Sequence, residues 1–125
     1  MGKVESMASI LLVDDSTTMR EMVSFTLSEA GHDVSEAEDG VEAYELAKTL
    51  NVNLVITDVN MPNMDGITLT SKLRELPAFK FIPILILTTE TGTAKKEMGK
   101  VAGATGWIEK PFDPDHLLAT VNKVL

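Results

Sequence analysis

The sequence predicts a doubly wound α/β fold: one sheet of five parallel strands flanked by five helices. Three observations carry that expectation. The apolar runs ILLV at 10–13, LVI at 54–56 and ILIL at 84–87 are continuous rather than alternating, as in strands covered on both faces. Between such runs lie stretches whose apolar residues recur at helical spacing. The connections are short, so strand and helix alternate five times, the pattern of parallel strands joined by helical crossovers.

The first strand is read at residues 8–13. In the helix that follows, Met19, Met22, Val23, Thr26 and Ala30 share a face, and Gly31 is placed to close it in a left-handed conformation. A second strand spans residues 33–37. Asp39 then opens a helix with Val41, Ala43, Tyr44, Ala47 and Leu50 expected inward. Residues 53–57 give the third strand and 67–76 the third helix, stopped by Pro77, whose ring cannot continue it. The fourth strand is expected at 82–87, and a less amphipathic helix at 93–102 ends at Gly103. The fifth strand is 105–109. In the last helix Asp113 is the N-cap, Pro114 takes the first helical position, and Leu117, Leu118, Val121 and Val124 form the apolar stripe.

Composition narrows the function without naming it. A chain of 125 residues makes one domain large enough to bury a core unaided. The formal net charge of −8 argues against binding nucleic acid or an anionic membrane surface. The absence of cysteine excludes disulfides, thiolate catalysis and zinc–thiolate sites. No apolar run approaches the roughly 20 residues of a membrane-spanning helix. The opening MGKVES lacks a signal-peptide core and is followed by Met7, so residues 1–6 are read as an expression scar or disordered N-terminus and 7–125 as the domain. A soluble, cytoplasmic monomer is expected.

Ligands of open parallel sheets bind beyond the carboxyl ends of the strands, where the strand order reverses. With the flavodoxin-like order 2-1-3-4-5, strands one and three are neighbours at that point. Strand one runs into Asp14 and Asp15, strand three into Asp58, strand four into Thr88 and Thr89, and strand five into Glu109 and Lys110. Adjacent carboxylates repel each other, so a third beside them calls for positive charge. Oxygen donors without histidine or cysteine favour Mg²⁺, with Mn²⁺ as a substitute, over zinc. A lysine and a hydroxyl at the same rim suit a phosphoryl group, and an aspartate can accept one covalently.

Asp14-Asp15 after strand one, Asp58 followed by VNMPNMDG, Thr88 after strand four, and Lys110-Pro111-Phe112 after strand five together resemble the receiver domain of bacterial response regulators. The resemblance spans residues 7–125. It implies a phosphorylation-controlled switch of the chemotaxis-regulator type, without an attached output domain, and not an enzyme beyond self-phosphotransfer and autodephosphorylation. By that resemblance Asp58 is the phosphoacceptor, supplied by a histidine kinase. Asp15, Asp58 and the Asn60 main-chain carbonyl would hold Mg²⁺, with Asp14 acting through water. Thr88 would bond the phosphoryl group, Lys110 would pair with it, and a cis bond would precede Pro111. Thr88 and Trp107 are the expected switch pair. The face formed by helix four, strand five and helix five would dock a flagellar switch protein or a phosphatase.

Three positions depart from the pattern. Trp107 stands where tyrosine or phenylalanine is commoner, Thr89 where a small residue is usual, and Glu109 where motor-binding members tend to be apolar. A phosphate sink or phosphorelay shuttle is therefore the alternative role. Two remoter readings are a small Mg²⁺-dependent phosphatase of the haloacid-dehalogenase type and a flavin-binding protein suggested by TETGTA at 89–94. Asp65-Gly66 is read as a turn. His32, His116 and the Lys95, Lys96 and Lys100 face are read as solvated surface, with contact to an acidic partner as the alternative for the lysines.

Overall fold

The computed structural model describes residues 8–125; the expectation for residues 1–6 lies outside them. The elements follow in the order β1 (Ser9–Val13), α1 (Thr17–Glu29), β2 (Asp33–Ala37), α2 (Gly40–Ala47), β3 (Leu54–Thr57), α3 (Gly66–Arg74), a 3₁₀ turn at Pro77–Phe79, β4 (Ile84–Thr88), α4 (Thr93–Ala102), β5 (Gly106–Glu109) and α5 (Pro114–Val124). The sheet is parallel throughout, in the order β2-β1-β3-β4-β5. This is the expected doubly wound arrangement. No helix among the described residues is long and apolar enough to cross a membrane.

Alternation along each strand divides the core. Ile10 and Leu12 point with Leu54, Ile56, Leu85 and Leu87 toward α1 and α5, packing on Val23, Leu27, Leu117 and Val121. Leu11 and Val13 point the other way, onto Ala43 and Ala47 of α2 and Leu69 and Leu73 of α3. Both faces of the central strands are thus dry, which explains their uninterrupted apolar runs. Burying each leucine or isoleucine contributes about 1.5–3 kcal/mol against chain entropy.

Side chains set the helix starts. Ser16, Asp39, Asp65 and Asp113 each accept a hydrogen bond from the backbone N–H three residues on, each cap being worth about 1 kcal/mol. Asn63 bonds Asp39 at 2.8 Å as well, and the Glu42 amide and Asn63 together hold the Asp39 carboxyl below the usual range. α4 has only Gly92 at its start and no side-chain cap.

Several expectations are corrected. In α1 the buried residues are Val23 and Leu27, so the inward stripe runs Met19, Val23, Leu27; Met22 sits one position off it and is exposed. In α2 Ala43 and Ala47 are buried and Tyr44 packs against the same cluster, as does Leu50 beyond the helix end at Ala47; Val41 departs from the expectation and lies in solvent. β4 starts at Ile84 rather than residue 82, because Pro83 has no N–H for the ladder and contributes only its carbonyl, to the Val55 amide. His32 is buried, not solvated: its Nδ1 accepts the Ala8 N–H at 3.2 Å, and burial lowers its pKa.

Candidate functional site

The ladder carries two carboxylates past the sheet's carboxyl edge. The Asp14 N–H bonds the Ala37 carbonyl and the Asp58 N–H bonds that of Val13, so both backbones are held as extensions of β1 and β3. Asp14 is buried and Asp15, one residue on, is exposed; the adjacent pair faces two environments. One carboxylate oxygen each from Asp14, Asp15 and Asp58 lie within 4.8 Å of one another.

Lys110, delivered by the end of β5, supplies the nearest positive charge. Its Nζ donates to Asp14 Oδ2 at 2.7 Å and to Asp58 Oδ2 at 3.1 Å, with only 7% of the side chain exposed. Burial alone would lower its pKa, but the Asp14 bond and the charges of Asp58 and Asp14 outweigh that and raise it above the ordinary lysine value. The remaining oxygens are spoken for by backbone. Asp14 Oδ1 accepts the Ser16 N–H at 2.9 Å and Asp58 Oδ1 the Val59 N–H at 2.6 Å. The Lys110–Pro111 peptide is cis, as the resemblance implied.

Three carboxylates against one ammonium leave a formal charge of −2, which a divalent cation would balance. All three donors are hard oxygens gathered at one point, and Asp15 is open to solvent. The donor set therefore fits Mg²⁺. Asn60 follows the cluster in an exposed loop.

Thr88 closes β4 fully buried, and its hydroxyl accepts the Glu90 N–H at 3.2 Å, which leaves the hydroxyl proton to donate. The Lys110 N–H bonds the Thr88 carbonyl, tying the two strand ends together. Trp107 is half-buried and its Nε1 donates to the Glu90 carbonyl at 3.1 Å. The Glu90 peptide groups thus link the Thr88 hydroxyl to the indole. Thr89 is exposed at the rim, and Glu109 pairs with Lys96 of α4 at 3.1 Å.

Sequence reasoning missed two supports. Arg20, in the first turns of α1, donates to the Asp14 carbonyl at 2.7 Å and pairs with Glu36 at 3.3 Å; its place one turn after the Ser16 cap was the available signal. Gly66 is more than the turn residue its sequence suggests: a Cβ there would lie 1.8 Å from the Asp58 carbonyl oxygen. Its N–H bonds the Val59 carbonyl, so α3 begins in direct backbone contact with the loop that presents Asp58.

The family model for the response regulator receiver domain matches residues 10–122. The chain belongs to the response regulator receiver family. Among the relatives of this receiver domain, the chemotaxis protein CheY1 of Helicobacter pylori is 46% identical over 118 residues, which cover 93% of this chain and 95% of the relative. The structure of the chemotaxis response regulator CheY4 of Vibrio cholerae matches with a TM-score of 0.90 at 50% identity, covering 95% of this chain and 99% of that one. The receiver domain of a sensor histidine kinase from Pseudomonas aeruginosa PAO1 matches with a TM-score of 0.88 at 25% identity over 94% and 96% of the two chains; that structure has a magnesium ion coordinated in its active site cleft. The matching family is neither that of haloacid-dehalogenase-like phosphatases nor that of flavodoxins.

Proposed function

We propose that this receiver domain is a cytoplasmic chemotaxis switch that takes a phosphoryl group from a histidine kinase onto Asp58 with Mg²⁺. The single observation that carries the proposal is the buried Lys110 ammonium spanning Asp14 and Asp58, with Asp15 completing a three-carboxylate cluster at the switch point of the sheet. Asp14, Asp15, Asp58 and the Asn60 carbonyl would hold Mg²⁺, which when bound neutralises charge on the incoming phosphoryl oxygens.

The chain's own residues perform the rest. Asp58 Oδ2 attacks phosphorus, the bond from phosphorus to the donor imidazole breaks, and the imidazole leaves. Lys110 gives up its Asp58 contact to pair with a phosphoryl oxygen, while keeping Asp14. The Thr88 proton donates to another oxygen. Drawing Thr88 toward the product strains its bond from Glu90, and Glu90 in turn holds the Trp107 indole, so the phosphorylated form favours a different packing of Trp107 and a different α4–β5–α5 surface. Hydrolysis of the acyl phosphate resets it. The chemotaxis relatives favour docking of a flagellar switch protein or a phosphatase on that surface. The Glu109–Lys96 pair lying on the same face favours a second reading, a phosphate sink or relay shuttle. A pull-down that captures a flagellar switch protein supports the first, and one that captures a histidine phosphotransferase supports the second.

The test of the phosphoacceptor is chemical. The chain is incubated with acetyl phosphate and Mg²⁺, reduced with borohydride and mapped by mass spectrometry. Homoserine at position 58, absent when EDTA replaces Mg²⁺, is the expected product; label at another carboxylate, or none, would overturn the assignment.

A further inference from the structure

Arg74, the last residue of α3, has an environment that the phosphoryl site does not explain. Its Nε and Nη2 fork onto one carbonyl, that of Gly103, at 3.1 and 2.8 Å. Its Nη1 donates to the carbonyls of Phe79 at 2.8 Å and Ile82 at 2.6 Å. Among the described residues it makes no ion pair with a carboxylate. A half-buried guanidinium has been desolvated to bind backbone alone, and it joins three segments: the end of α3, the approach to β4, and the turn from α4 into β5.

Gly103 is shaped to this contact. It ends α4 at φ 109°, in the left-handed region, with its N–H on Lys100 and the Ala104 N–H on Gly99. A Cβ at Gly103 would sit 3.1 Å from both Cγ and Nε of Arg74, so the arginine stem packs flat on the glycine. The next amide, Thr105 N–H, bonds Ile84 of β4, and the Thr105 hydroxyl accepts the Ile84 N–H. The C-terminal end of α4 is therefore fastened at every step.

At the other end the tie to the sheet is the Lys96–Glu109 ion pair, 41% and 50% exposed and therefore weak. α4 starts at Gly92 without a side-chain cap, and its one buried residue, Gly99, rests on the Trp107 ring. Met98 and Val101 are 53% and 86% exposed, so the helix has little apolar anchorage. Its N-terminus continues directly from the segment that holds Thr88 and Glu90.

We propose that Arg74 is the pivot of α4: it fixes the helix's C-terminal end to α3 while the N-terminal end moves with the Thr88–Glu90 segment. What drives the movement rests on the phosphorylation reading above; the pivot itself is a property of the resting chain. A helix of this length spans about 15 Å, so a tilt of about 10° at the fixed end carries the free end about 2.5 Å. Arg74 is thus a positioning residue, distant from the reacting atoms, that converts a shift at Thr88 into a rotation of the α4 face.

Amide hydrogen exchange tests this on the full chain. Without phosphodonor, the amides of Gly103, Ala104 and Thr105 are expected to exchange at least tenfold more slowly than those of Lys95, Lys96 and Glu97. Arg74→Lys keeps the charge but not the planar fork; it should speed the three C-terminal amides at least tenfold and leave β1 and β3 within about twofold. Gly103→Ala, which attacks the same joint from the other side, should do likewise. With acetyl phosphate and Mg²⁺, exchange should change in residues 91–98 of the wild type, and through residue 105 in Arg74→Lys. Uniform exchange along α4 in the wild type overturns the pivot without any variant, and so do unchanged C-terminal amides in a folded Arg74→Lys. If acetyl phosphate alters no amide anywhere, the phosphorylation reading fails, while the resting gradient and its loss on substitution still decide the pivot.

Discussion

Lys110→Met removes the ammonium while keeping much of the aliphatic stem. Each contact, at 2.7 and 3.1 Å, is worth roughly 5–6 kcal/mol of Coulomb attraction at an effective dielectric near 20, before the cost of desolvating the ammonium is subtracted. The lysine, Asp14 and Asp58 side chains are only 7%, 4% and 11% exposed, so solvent cannot replace the lost partner well. Breaking a buried pair from one side costs about 3–5 kcal/mol. Urea unfolding in EDTA should therefore show a loss of about 3 kcal/mol. Excess Mg²⁺ should restore much of it, since a cation at about 100 times its Kd adds about 2.7 kcal/mol to any folded state that binds it. The wild type should gain less from the same Mg²⁺, because its cluster is already part-neutralised. A variant as stable as the wild type in EDTA, or no more dependent on Mg²⁺, would refute the electrostatic account of the cluster.

Three further outcomes are expected. Gly66→Ala should lose at least about 3 kcal/mol in thermal unfolding, because its Cβ would enter the Asp58 backbone, which has no flexible end to yield; an unchanged Tm would show that the close approach relaxes freely. Burial lowers the His32 pKa, so the unfolded chain binds its proton first and stability falls as pH drops below the ordinary histidine value of 6.5. His32→Gln, which offers Ala8 an uncharged acceptor, should flatten that slope between about pH 7 and 5, and equal slopes would remove His32 as its source. Thr89→Ala should speed both phosphorylation by small donors and dephosphorylation, since Thr89 stands exposed at the rim; unchanged rates would mean that its bulk obstructs nothing.

The sheet was legible because burial on both faces leaves a direct mark on the strands, and the convergence of Asp14, Asp15, Asp58, Thr88 and Lys110 follows from strand order alone. Helix faces were less legible. Met22 and Val41 are apolar residues that happen to fall beside the inward stripe, and apolar character alone does not distinguish the two. His32 looked polar from its neighbours in sequence, while its burial comes from the crossover that lays Ala8 against it. The nature of the cluster was half-legible: a cation was expected between the aspartates, and the nearest one is the Lys110 ammonium, from a strand end 96 residues away along the chain. Gly66 is legible only as a turn and Arg74 not at all, since the partners of both are backbone groups, which leave no pattern in side-chain type.

The most direct test is the fluorescence of Trp107, the only tryptophan, titrated with Mg²⁺ and then with acetyl phosphate, in the wild type and in Asp58→Asn. The account predicts a change with Mg²⁺ and a further change with acetyl phosphate that requires Asp58. No response to Mg²⁺, together with a donor effect that survives in Asp58→Asn, would contradict it and leave the acidic cluster a structural feature.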